Sequence, residues 1–519
     1  MSDFVKRRQS VYRLFSCYAD GQEGIITTIE VSINPGLPSF DVIGLCDSSI
    51  RESRGRIQAA LISAGFLMPK GHVTVSISPA YLHKSGSSFD FPIALGMLFA
   101  SGQIECSPAI KIYAEGELSL TGSVKGTPGS ATRLINTAGQ YDYVFFPSDE
   151  CESAQVAGIS GYAVTHLYDI REMFITGRIL QHQYSIDECN IVNTVPEYPD
   201  FSAVKGQEKA MNALLIAASG FHNIVILGSP GCGKTTAGRI IAGILPPLEG
   251  KEIGQVYAVK ESAGIGNDDG QRLIPSIVRP FRHIQPGLTV PKLIGSIKPL
   301  RPGEMALANN GVLFADELCD YRTDIINCMR LPMEERVIRI NRDGRQVIYP
   351  ASFIFVGAGN PCRCGMYYES NRKCKCTPLT RHQYISKIEG PFADRIDIFT
   401  EMRSVGADKL QSKVYERNMQ LSVELKDKVK SVWDVQQKRY ADLGKDTRVF
   451  NGTYDDVDPD LLRANREVID YASAICADQG FSVRGFGKLL RVGRTIADLD
   501  ERDDMNISDV AQAAMFRLR

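Results

Sequence analysis

The chain has almost no excess of either charge: 59 Lys and Arg stand against 60 Asp and Glu, a formal net charge of −1 over 519 residues. That balance excludes attachment to nucleic acid or to a membrane by overall charge, so any basic surface must be local. No apolar run approaches the roughly 18–20 residues of a bilayer span. The opening MSDFVKRRQSVYRLFSCYADG is basic but has no unbroken apolar segment, so no secretory signal is expected. Cysteine is sparse as well. Thirteen cysteines are too few for a disulfide scaffold, and without a secretory signal the expectation is reduced thiols in the cytoplasm. Fixed-period repeats and low-complexity tracts are absent from the sequence. What is present, 44% hydrophobic and 23% charged residues, is the composition of a soluble globular protein with room for two or three domains.

Three segments follow from the patterning. Residues 1–180 mix short strands with helices. HVTVSIS (72–78) alternates Val73, Val75 and Ile77 as a half-buried strand does, and RESRGRIQAALISAGF spaces Ile57, Ala60, Leu61 and Ala64 as a helix that stops at Gly65. Residues 181–203 lose periodicity, gain two prolines and read as a linker. Over 204–404 strands and helices alternate, as in a parallel α/β sheet. Residues 405–519 read as helical, broken by the polar stretch at 441–460.

The strongest local signal is NIVILGSPGCGKTTAGRIIAGIL (223–245): an apolar strand, then G-x-x-x-x-G-K-T, then an apolar helix. This is a phosphate-binding loop in its required context. Gly228, Ser229, Pro230, Gly231, Cys232, Gly233, Lys234, Thr235 and Thr236 would surround the phosphates with backbone N–H groups at a helix N-terminus. Lys234 would reach the β- and γ-phosphates, and Thr235 would hold Mg²⁺. Downstream, GVLFADEL (311–318) is an apolar strand ending in two acids. Asp316 suits a second Mg²⁺ ligand and Glu317 the base that orients the attacking water. Cys232 reads either as an oxidation-sensitive thiol or as a small residue that fits.

FSAVKGQEKA, GSPGCGKT, RPGEMALANNGVLFADEL, GNPCRCG and GPFADRIDIF occur in this order, and the set resembles the magnesium-chelatase-like AAA+ ATPases. Within them it is similar to the ComM/YifB family, including that family's N-terminal domain in YADGQEGIITTIEV and KSGSSFDFPIALGML. The resemblance implies a P-loop AAA+ domain with a parallel sheet and a helical lid, plus an N-terminal α+β domain like that of Lon protease and ribosomal protein S5. It implies Asn360 as sensor 1, Arg395 as an arginine finger delivered to a neighbour's ATP, Arg484 as sensor 2 on the lid, and Val204 and Gly206 near the adenine. A finger acting in trans implies a homo-oligomeric ring, a hexamer in this family. The activity implied is an ATP-hydrolysing motor on single-stranded or branched DNA, a branch-migration helicase of natural transformation. The alternatives are a chelatase-like motor that remodels a protein partner, and an ATP-dependent protease. The last needs a lysine to activate Ser88, yet Ala131 aligns with the lysine position and Lys125 lies six residues away. Against the family pattern, only His283 follows RPFR where a histidine pair is usual.

Two further stretches carry chemistry. RVIRINRDGRQVIYP (336–350) flanks Asp343-Gly344, a hairpin turn signal, and places Arg339, Arg342 and Arg345 near its tip. In a ring these would meet a phosphate backbone without reading sequence; otherwise this is a solvated surface hairpin. Finally, Cys362, Cys364, Cys374 and Cys376 form C-x-C-x9-C-x-C just after Asn360. Four thiolates suit a structural Zn²⁺, with unligated thiols and a redox pair as alternatives.

Overall fold

The computed structural model describes residues 11–44, 47–82, 84, 86–137, 141–176, 196–265, 273–342, 345–369, 373–404, 420–443, 448–454 and 456–517. Most of the expected linker, and the Asp343-Gly344 turn, lie outside them. The chain forms two compact units. One comprises Met1–Val192, Glu249–Ile277 and Arg339–Tyr349; the other comprises Asn193–Leu248, Val278–Ile338 and Pro350–Arg519.

In the first unit the main sheet is built from β1 (Tyr12–Asp20), β2 (Glu23–Asn34), β3 (Ser39–Ile43), β4 (His72–Ser78), β5 (Ile112–Ala114), β6 (Tyr143–Pro147) and β7 (Tyr162–Val164). They pair in the order β3-β4-β2-β1-β5-β6-β7, with antiparallel pairing in β1–β2 and β2–β4 and parallel pairing elsewhere. Strand β4 buries Val73, Val75 and Ile77 on one face, as its alternation predicts. The predicted helix spans Ser48–Ser63 and is capped at its start by Asp47. Helix Asp90–Ala100 comes so close to the sheet that a Cβ on Gly96 would lie 2.5 Å from Val31. The later segments are tied in by specific bonds. Glu261, on helix Lys251–Ser262, accepts hydrogen bonds from the N–H groups of Ser130 and Ala131, each at 3.0 Å. The strand Arg345–Pro350 receives the N–H of Gln22 on the carbonyl of Ile348 at 3.3 Å.

Further along the chain come β8 (Ile224–Gly228), β9 (Phe281–Ile284), β10 (Val312–Ala315), the hairpin β11 (Val337–Arg342) and β12 (Arg345–Pro350), β13 (Ile354–Gly359) and β14 (Ile398–Met402). In the second unit β9-β10-β13-β8-β14 form one wholly parallel sheet. Its central strands are buried on both faces, which is why they read as continuous apolar runs rather than alternating ones. Helices Gln420–Arg439, Arg466–Gln479, Val483–Leu499 and Ile507–Ala514 make the helical part. The polar stretch at 441–460 is more than a break between them. Phe450 stacks on Phe221 at 4.8 Å and lies 4.6 Å from Trp433, while buried Asn451 bonds Thr495 and Asp498 at 3.0 Å each.

Beneath β14 sits a fully buried ion network. Asp397 pairs with Lys488 at 3.3 Å and with His222 at 3.7 Å, and it accepts the N–H of Asn223 at 2.9 Å. Although burial alone would raise its pKa, the Lys488 and His222 charges hold the Asp397 carboxyl far below the usual carboxylate range. Asp397→Ala would strand Lys488 without a counter-charge. We expect a loss of about 3–5 kcal/mol in unfolding free energy, read from the shift of the urea-unfolding midpoint followed by far-UV circular dichroism.

Candidate active site

Strands β8, β10 and β13 end at one edge of the sheet, and the residues that follow them converge. After β8, Gly231 and Gly233 take φ values of +78° and +96°, a region open to glycine, and helix Lys234–Ile244 begins immediately. A Cβ on Gly228 would lie 2.7 Å from the Met402 carbonyl, so only glycine lets the loop turn here. The Lys234 ammonium donates to the carbonyls of Gly228 (2.8 Å) and Ser229 (2.9 Å) and to Oδ1 of Asn360 (3.3 Å). Burial lowers its pKa, opposed by Cys232, Asp316 and Glu317. A half-buried ammonium bonded only to neutral oxygens is a seat for an anion.

After β10, Asp316 accepts a hydrogen bond from the Thr235 hydroxyl at 3.0 Å. A hydroxyl and a carboxylate at that spacing are hard oxygen donors of the kind Mg²⁺ takes. Next to it Glu317 is exposed and holds φ +51°, a left-handed conformation that a non-glycine residue rarely adopts. Val204 lies beside the loop, its methyls 3.7 and 3.9 Å from where a Cβ on Gly233 would be; Gly206, at φ +67°, follows. Thr236 is half-buried on the first turn of the helix.

His283 stands at 3.9 Å (Nε2) from Asp316 Oδ2 and against Phe314. In the sequence His283 stands out only as a departure from the family pattern, and the pairing of β9 with β10 is what sets it beside the acid.

Arg395 and Arg484 are brought together, away from these groups. Arg395 donates to Glu334 at 2.6 Å and to the Pro391 carbonyl at 2.7 Å, while Arg484 pairs with the other oxygen of Glu334 at 2.7 Å. The three border a cavity of about 310 Å³ with Asp394, Asn223 and Arg491. Glu334 was missed in the sequence, where it is one acid among several on an amphipathic helix.

The hairpin β11–β12 forms as predicted. Arg339 is exposed, and Arg345 lies over the Tyr81 ring at 5.8 Å while donating to the Tyr81 carbonyl at 3.0 Å. The side chain of Arg342 lies outside the described residues. Cys362, Cys364, Cys374 and Cys376 come together with all four sulfurs within 4.8 Å of one another, and the closest pairs are at 3.4, 3.6 and 3.7 Å. Four sulfurs each about 2.3 Å from one tetrahedral ion would stand about 3.8 Å apart. The set fits such an ion. In the first unit, Ser88 and Ala131 are buried and Lys125 is exposed.

A parallel sheet in this strand order, with a phosphate loop facing Asp316, Glu317 and Asn360, defines an AAA+ ATPase fold. Family comparisons agree. "Magnesium chelatase, subunit ChlI" matches residues 200–410, "Subunit ChlI of Mg-chelatase" residues 29–149, and "Magnesium chelatase, subunit ChlI C-terminal" residues 419–517. The chain is 30% identical to Competence protein ComM of Haemophilus influenzae over 97% of each chain. It is also 30% identical to the uncharacterized protein YifB of Escherichia coli K12 over 94% of each. With the Magnesium-chelatase 38 kDa subunit of Rhodobacter capsulatus it shares 32% identity over 32% of this chain and 51% of that one. The chain belongs to the ComM/YifB family of magnesium-chelatase-like proteins. That family implies ATPase activity. Among the described residues no helix is long and apolar enough to cross a membrane.

Burial pushes the Cys232 thiol above its ordinary pKa, so at neutral pH it stays protonated and unreactive. Iodoacetamide should label Cys232 more slowly than a free cysteine peptide at pH 7, with the rate climbing as pH rises toward the thiol pKa. Peptide mass spectrometry of the alkylated protein reads this.

Proposed function

We propose that this protein is an ATP-driven ring motor acting on single-stranded or branched DNA, promoting branch migration of recombination intermediates in natural transformation. The observation that carries the motor reading is the meeting of Lys234, Thr235, Asp316, Glu317 and Asn360 at one sheet edge. In this reading ATP phosphates take the place of the carbonyls on Lys234, and Thr235 and Asp316 hold Mg²⁺, which neutralises phosphate charge. Glu317 accepts a proton from the attacking water, and Asn360 orients that water.

Positive charge for the transition state comes from another subunit. Within one chain Arg395 and Arg484 are both held by Glu334, so we assign them together to a surface that completes a neighbour's site. That assignment makes the active form a homo-oligomeric ring, a hexamer. DNA as the substrate is supported by the exposed arginine of the β11–β12 hairpin and by the full-length similarity to a competence protein. The four cysteines are assigned a structural Zn²⁺, retained as thiolates in a reducing cytoplasm.

The similarity to a magnesium-chelatase subunit favours a second reading, a motor that remodels a protein partner. ATP hydrolysis with and without single-stranded and forked DNA separates the two. We expect strong DNA stimulation that Glu317→Gln abolishes while nucleotide binding persists; hydrolysis indifferent to every DNA would favour the protein partner.

Subunit mixing tests the shared site. Lys234→Ala and Arg395→Ala should each be inactive alone. Mixed before assembly they should regain part of the activity, because some interfaces pair an intact loop with an intact arginine. No recovery in mixed rings would remove Arg395 from the trans role.

A further inference from the structure

The four-cysteine loop touches the phosphate loop itself. Gly365, at φ +75°, packs so closely on Pro230 that a Cβ there would lie 2.6 Å from the proline Cδ and Cγ. The turn that delivers it is closed by the Gly365 N–H donating to the Cys362 carbonyl at 2.9 Å. At the loop's root, Asn360 accepts from Lys234 at 3.3 Å, and its carbonyl lies 3.9 Å from the Cys319 sulfur. Only Pro361 separates Asn360 from the first sulfur ligand. Farther out, Arg381 lies over the Tyr367 ring at 4.5 Å and donates to the Cys376 carbonyl at 3.2 Å. Ser404, just past β14, donates its N–H to Glu369 at 3.3 Å. The loop therefore spans from the sensor strand across Pro230 to the end of β14.

Apolar contact holds this segment mainly at its root, near Gly365 and the Met366-Tyr367-Tyr368 run. It carries Arg363, Lys373 and Lys375, and of its four cysteines only Cys362 is fully buried. Burial fixes the root of the loop at Pro361, Cys362 and Gly365 and leaves Arg363, Lys373 and Lys375 exposed, and a cation binding all four sulfurs would fix the rest of its path.

We propose that the metal at Cys362, Cys364, Cys374 and Cys376 is a structural part of the nucleotide pocket, holding Asn360 and Gly365 against the phosphate loop so that metal occupancy and nucleotide affinity are linked. The proposal rests on the zinc and ATP-site readings above. Linkage is reciprocal: what Zn²⁺ does for ATP affinity, ATP must do for Zn²⁺ affinity by the same factor.

The test uses the full-length chain. Zinc per chain is counted by mass spectrometry of the metal. A fluorescent ATP analogue is titrated before and after chelation, and zinc affinity is measured against a competing chelator with and without nucleotide. Removal of zinc should weaken nucleotide binding about 5–150-fold, and saturating nucleotide should tighten zinc binding by a matching factor. Gly365→Ala keeps all four sulfurs but adds the Cβ that meets Pro230; it should retain one zinc per chain and still bind nucleotide more weakly. This variant decides the matter even if the zinc-free chain loses its circular dichroism. Nucleotide affinity unchanged in zinc-retaining Gly365→Ala, or in a folded zinc-free chain, overturns the coupling and leaves the zinc reading standing. A chain that takes up no zinc overturns both. A zinc-loaded chain that binds no nucleotide overturns the ATP-site reading instead.

Discussion

Because β8, β10 and β13 pair in parallel, with Leu227 opposite Gly359 and Ala315 opposite Gly357, the chain leaves all three strands at the same edge of the sheet. Everything chemical in the second unit depends on that register. Slipping one strand by a residue would turn its side chains to the opposite face and separate Thr235 from Asp316. The register is protected by burial: Val225, Ile226, Leu313, Phe314, Phe355 and Val356 are all inaccessible to solvent. A wrong pairing would expose several large side chains, each at a cost of roughly 1.5–3 kcal/mol. The apolar strands thus fix where the polar residues stand, and the left-handed turn at Glu317 is tolerated because the strand before it cannot move.

The same logic explains what was legible in the sequence. Signals that are local and carry their own geometry are readable: the glycines of the phosphate loop, the apolar strand ending in Asp316 and Glu317, the period of β4, and the paired strands β11 and β12. Signals that depend on chain segments far apart are not. Nothing near Glu261 says that its carboxylate meets Ser130 and Ala131, 130 residues away in the chain. Nothing in a polar run between helices announces that Phe450, Asn451 and Tyr454 are buried. Composition misleads there because a few side chains, Val449 and Phe450 foremost, do the packing in a stretch that is polar on average. Glu334 was equally silent, since a carboxylate on a helix gains meaning only when Arg395 and Arg484 arrive from two other segments.

Buried charge governs how those two arginines are presented. Arg395 is two residues from Asp397, which is locked by Lys488, His222 and Asn223. Lys488 lies on the helix whose second residue is Arg484. One buried ion pair therefore ties together the two segments that carry the arginines. An ion pair of this kind contributes little net stability, since desolvation offsets its attraction. What it supplies is directional, because a charge pair in a low-dielectric site tolerates few alternative geometries.

If Arg395 and Arg484 serve a neighbour's ATP, as proposed, then Glu334 occupies in the single chain the place that phosphate would occupy in the ring. Its carboxylate oxygens bond one arginine each, at 2.6 and 2.7 Å, which is how two guanidiniums would share a terminal phosphate group. A subunit alone then has a loop, a base and a metal seat, but its two cations face an internal acid. On that reading, hydrolysis would require both arginines to exchange Glu334 for the phosphate of the adjoining subunit. The exchange is close to balanced, one anion for another, and the more highly charged phosphate favours the assembled form. On the same reading Glu334 would keep the guanidiniums aligned without a partner and yield them to a nucleotide-loaded neighbour, which would tie catalysis to assembly.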